Sequence, residues 1–126
     1  TIPTHFGIDG KPDAYGSKNM SLILVFISIL TYTMLVLSTK WPNLINYPFE
    51  ITPETEEAHF KNAFLMARVL NLESTLLFSS ILLGTFQTAL GQSNGLGFLT
   101  PTIMVLILLT LGLFLYRGSS IKKHLA

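Results

Sequence analysis

The sequence predicts an all-α integral membrane helical bundle, with three visible transmembrane helices and a fourth expected upstream of residue 1. Three observations predict it. Of 126 residues, 49% are hydrophobic and 12% charged, where an ordinary soluble domain carries roughly 25% charged residues. Mean hydropathy is +0.53, and a globule of this length keeps too much of its area in water to hide so apolar a surface. The apolar residues also gather in three runs, and nothing alternates with strand period over a useful length. The absence of cysteine excludes a disulfide framework and a thiolate zinc site. A net charge of +1, with no basic run longer than Lys122-Lys123, argues against a nucleic-acid surface.

Residues 1–20 hold Pro, Gly and Asp at a density that predicts a compact loop with a fixed course. Residues 21–39 carry no charge, and at ~1.5 Å per residue they reach about 28 Å, close to the ~30 Å hydrocarbon thickness. Lys40 and Trp41 suit the headgroup layer, and Pro42 ends the helix. The 40–63 connection includes an interfacial helix: Thr52 reads as an N-cap, Pro53 as the first helical residue, and Glu54, Glu56 and Glu57 oppose the positive end of the dipole. A second span covers 64–90 and ends at the Gly-rich turn 91–99. Thr100-Pro101 repeats the cap-and-proline start of a third span, 100–117. Tyr116-Arg117 marks its interface, Gly118 reads as its C′ glycine, and 118–126 form a tail.

With three spans, Lys11 and Lys18 lie on one side, against Lys40, Lys61, Arg68, Arg117, Lys122 and Lys123 on the other. This asymmetry predicts a cytoplasmic middle connection and C-terminus, with the N-terminal arm outside. An outward arm is most simply supplied by one more helix before Thr1, giving four spans with both termini cytoplasmic; the alternatives are a cleaved signal peptide or an N-out three-span protein.

Three places carry candidate function. In the outward arm, His5, Asp9 and Asp13 are the residue types that bind zinc and similar metals, but spacings of four and four without a second His favour turn capping over a metal site. In the second helix, Arg68, Asn71, Thr75 and Ser79 fall on one stripe and Glu73, Ser80, Gly84 and Gln87 on another. An ionisable residue inside a span faces protein, water or a partner charge. Arg68, Asn71 and Glu73 are therefore expected to make interhelical or partner contacts, with Glu73 the better candidate for a proton or cation site. Third, His59 lies near Glu50, Glu54, Glu56 and Glu57, which solvated helix-start acids explain as well as a metal site does. No nucleophile elbow, P-loop, His-Glu-x-x-His or dinucleotide fingerprint appears, so neither an enzyme nor a bound cofactor is expected.

The stretch Ile2 to Lys18, Ile-Pro-Thr-His-Phe-x3-Gly-x-Pro-Asp-x2-Gly-Ser-Lys, resembles the signature of the domain of unknown function 1648 family, which includes the SdpI-like immunity proteins of bacterial membranes. Pro3, His5, Phe6, Gly10, Pro12, Asp13, Gly16 and Lys18 match position by position, and Tyr15 stands where an aromatic, commonly Trp, is expected. The resemblance implies a helix before the motif, a location in the bacterial cytoplasmic membrane, and these eight residues as a loop that binds an extracytoplasmic peptide or a membrane partner. Some relatives are associated with immunity to a self-made toxic peptide and with signalling to a repressor. The expected partners are thus the lipid bilayer, a peptide or membrane protein, or further copies of the chain, and no nucleic acid. The alternative functions are an accessory subunit of a larger membrane complex and a small proton-coupled transporter using Glu73.

Overall fold

In the computed structural model, which describes residues 1–125, a β-hairpin caps one end of three long helices. The chain runs β1 (Ile2–Phe6), β2 (Pro12–Gly16), a 3-10 turn (Lys18–Met20), α1 (Ser21–Lys40), a second 3-10 turn (Pro42–Leu44), α2 (Glu56–Ala89) and α3 (Leu99–Leu125). All three α-helices are long and apolar enough to cross a membrane. The side chains of Lys122, Lys123 and His124 lie outside the described residues.

α2 is the central element: α1, α3 and β1 all pack against it. Its 34 residues reach about 51 Å at ~1.5 Å each, well beyond a ~30 Å hydrocarbon core, so its first turns project past the apolar layer, as the acidic start predicts. Small side chains line its buried face, among them Ala63, Ala67, Ser80 and Gly84. Such residues let neighbouring backbones approach closely where lipid supplies no hydrophobic drive for helix association. α1 buries no residue, and Leu22, Phe26, Ile29 and Met34 are 61–67% exposed, a surface suited to acyl chains and not to water.

Local structure departs from the sequence reading in four places. Residues 1–20, expected as a compact turn-rich loop, take their course as a β-hairpin. α2 starts at Glu56 rather than Pro53, because Thr52 and Thr55 close a turn ahead of it: the Thr52 carbonyl accepts from the backbone N–H groups of Thr55 and Glu56, and Thr55 Oγ1 accepts from the Thr52 N–H at 3.0 Å. α3 starts at Leu99, and the Thr100 hydroxyl pairs with Ser80 instead of capping. Gly118 lies inside α3, where the Phe49 ring occupies the space that a Cβ would need; it is a packing glycine, not a terminator. The α2 terminus follows the sequence closely. Gly91, at φ +75°, donates to the Thr88 carbonyl while Gln92 donates to Gln87, the paired bonds of a Schellman end.

Glycine spacing yields a graded expectation. Gly95→Ala drives a methyl into the Gly10 backbone and Gly118→Ala drives one into a ring that can swing aside, whereas Gly112 has open space around it. Thermal unfolding in detergent should fall by several degrees for Gly95→Ala and less for Gly118→Ala. Gly112→Ala should leave it unchanged or raise it, since Ala is favoured over Gly within a helix by about 0.5–1 kcal/mol.

Candidate functional site

The hairpin is short and irregular. It pairs Ile2 with Gly16 and Pro3 with Tyr15, then shifts register twice, at Thr4 and between His5 and Phe6, so that His5 faces Ala14 and Phe6 faces Pro12. Its two ends differ. Pro3 is fully buried and Ile2 is 6% exposed; both line a cavity of about 240 Å³ with Met20, Ile23, Ile81 and Thr85, which pins β1 to α2. Gly16 allows the strands to close, since a Cβ there would meet the Thr4 methyl at 2.9 Å. Lys18 opens the 3-10 turn, and its carbonyl accepts the Ser21 hydroxyl at 2.7 Å.

The tip is tied down as firmly. Gly10 takes φ +79°, a conformation that L side chains avoid, and its carbonyl accepts the backbone N–H of Leu96 in the α2–α3 turn at 3.0 Å. Gly95 lies against the Gly10 carbonyl with no room for a side chain, and Leu96 reaches across the turn onto Gly84 of α2. The hairpin is thus clasped at both ends.

Between the clasps, His5 Nδ1 and Asp13 Oδ1 stand 2.6 Å apart, with the side chains 70% and 54% exposed. Asp9 does not join them; its Oδ1 accepts the Lys11 N–H at 3.0 Å and shapes the turn. Of the three metal candidates, only His5 and Asp13 are therefore brought together, and no group of three His, Asp or Glu gathers among the described residues. Beside this pair a cavity of about 780 Å³ opens between the hairpin and the start of α3, its wall including His5, Phe6, Gly10, Leu96 and Met104. Ile8 and Phe98, almost fully exposed, flank it.

The second helix sorts its two polar stripes to opposite neighbours. The Glu73 stripe meets α3 and the turn before it: Thr110 Oγ1 donates to Glu73 Oε2 at 2.8 Å, Ser80 and Thr100 share a buried hydrogen bond of 2.9 Å, and Gly84 receives Leu96. Glu73 Oε1 is buried without a hydrogen-bond partner. The Arg68 stripe instead faces α1, across a groove that also contains Tyr32 and Thr39. The Arg68 guanidinium lies 5.6 Å from the centroid of the Phe64 ring, one turn toward the start of α2. Asn71 Oδ1 is buried and unpartnered.

A feature absent from the sequence reading closes the far end. His59, 3% exposed, stacks on Phe49 at 5.4 Å and lies 6.4 Å from the Tyr47 ring. His59 is therefore part of an aromatic plug and not of an acidic metal cluster. The Tyr47 hydroxyl donates to the Pro42 carbonyl at 2.9 Å, and burial pushes its phenol pKa above the usual value. The signal was available in Tyr47, Phe49 and Phe60 flanking His59, although aromatic composition by itself does not say that a connection folds back.

The seam between α2 and α3 yields an expected outcome. Thr110→Val removes the hydroxyl that donates to Glu73, which should cost about 1–3 kcal/mol, as for a buried acceptor left without a donor. Glu73→Gln keeps an acceptor oxygen at that place and should cost less. A loss of thermal stability in detergent from Glu73→Gln as large as that from Thr110→Val would show that an acceptor oxygen at position 73 is not enough to hold the seam.

Comparison with known proteins adds three findings. An uncharacterised protein of Archaeoglobus fulgidus is 39% identical over 56 residues, which cover 38% of this chain and 31% of that protein; the chain thus matches about a third of that relative's length. No solved structure matches the chain. Residues 1–31, which comprise the clasped hairpin and the first part of α1, match the model of the domain of unknown function (DUF1648), the family that the motif from Ile2 to Lys18 resembles.

Proposed function

We propose that the protein is a non-enzymatic membrane receptor of the SdpI-like kind, whose hairpin binds an extracytoplasmic peptide or a membrane partner. The observation that carries this reading is the hairpin itself. Two clasps fix its backbone, and the His5–Asp13 pair and the neighbouring cavity are left open to a ligand. A fixed backbone lowers the ordering cost of binding. Pro3, Gly10, Pro12 and Gly16 set the shape, His5 and Asp13 supply the polar contact, Phe6 supplies an apolar wall, and Lys18 sits at the membrane edge. The asymmetry of cations supports an outward hairpin in a cell membrane, with the C-terminus in the cytoplasm.

A second reading, an accessory subunit of a larger assembly, is favoured by α1, which buries nothing within the chain. The transporter reading has less support, because Glu73 Oε2 is engaged by Thr110 inside the α2–α3 seam.

Two measurements test the proposal. Cells expressing the chain should survive membrane-active amphipathic peptides at severalfold higher concentration than cells expressing His5→Ala/Asp13→Ala at equal membrane abundance; equal survival overturns the reading. Because the chain has no cysteine, single introduced thiols report its orientation cleanly. Ile8→Cys should react with an impermeant maleimide on intact cells, and Ser119→Cys only after permeabilisation. The opposite pattern overturns the orientation.

A further inference from the structure

We infer that the groove between α1 and α2 is a binding site for the headgroup of an anionic glycerophospholipid, with Arg68 as its phosphate ligand. The groove, of about 760 Å³, is lined by Tyr32, Thr39, Arg68, Asn71 and Leu72 among others. Three features of its lining describe one kind of occupant.

The first is charge. Arg68 is exposed and, among the described residues, forms no ion pair. A guanidinium in an apolar wall draws an anion, and its planar fork matches two phosphate oxygens. The second is depth. Thr39 faces the same groove one residue before Lys40 and Trp41, the pair that marks the headgroup level at the end of α1. The Phe64 contact draws the Arg68 side chain toward the start of α2, so the guanidinium reaches the phosphate layer by snorkelling. The third is the apolar wall beneath. Below these polar groups the wall becomes Val36, Val69 and Leu72, a surface for acyl chains, with the Tyr32 phenol about 10 Å deeper along α1 than Thr39 at ~1.5 Å per residue and able to donate to an ester carbonyl. Basic pockets between membrane helices are established sites for anionic headgroups.

The site does not depend on the role of the hairpin, at the other end of the bundle. The test is native mass spectrometry of the intact chain released from nanodiscs containing equal parts phosphatidylglycerol and phosphatidylcholine. The wild type should retain one phosphatidylglycerol in at least fivefold preference. Arg68→Gln should abolish the preference and Arg68→Lys should weaken it severalfold. Arg117→Gln, which alters an arginine packed on its own ring, Phe114, should leave the preference intact and controls for bulk charge. Unchanged retention of lipid on adding millimolar glycerol phosphate identifies the bilayer as the source of the anion, whereas displacement at that concentration assigns the same site to a soluble phosphate. Equal retention by the wild type and by both Arg68 variants, or release as a lipid-free oligomer, overturns the inference.

Discussion

The bundle depends on the polar seam along α2. In lipid, apolar side chains gain nothing by leaving acyl chains for one another, so helices are seated by close backbone approach and by hydrogen bonds that have no better partner. α2 supplies both: Ala63, Ala67 and Gly84 keep its buried surface small enough for close approach, while on the face toward α3 Glu73 and Ser80 provide donors and acceptors matched by Thr110 and Thr100. Asn62 extends the same logic by donating to the Phe114 carbonyl at 3.0 Å. α3 is thus registered against α2 along its length, and the turn joining them is held in a defined place.

That placement makes the hairpin possible. An isolated two-stranded hairpin is marginal in water, and this one has two prolines within its strands and two register shifts. Its order comes from outside: the buried Ile2-Pro3 step against α2 and the Gly10 carbonyl against the α2–α3 turn. The residues matched to the family therefore divide by physical role. Pro3, Gly10 and Gly16 allow or fix contacts, and His5 with Asp13 is presented by them.

Much of this was legible from residues alone. Apolar runs and their flanking Trp, Tyr and Lys marked the helices, and the opposed stripes of α2 anticipated that Glu73 and Arg68 look toward different neighbours. The hairpin was hidden because Ile2 and Pro3 are buried in succession, so no alternation survives in five residues. Thr52 and Gly118 carried the right residue types for a cap and a terminator. Each was overridden by a contact from distant sequence or by a neighbouring hydroxyl, which no local rule contains. The aromatic plug about His59 depends on the 41–55 connection folding back onto α2 and α3, a non-local event that composition leaves open.

The main-chain bond from Leu96 to the Gly10 carbonyl has a mechanical consequence. The outermost strands and the root of the last helix share a rivet with no side chain in it, so no rotamer change can absorb relative displacement. A tug on the strands passes directly to the junction of the second and third helices, and from there along a register held by Ser80, Thr100, Glu73 and Thr110. Motion imposed on one face of the bilayer is thereby carried into its interior as a shift of whole backbones.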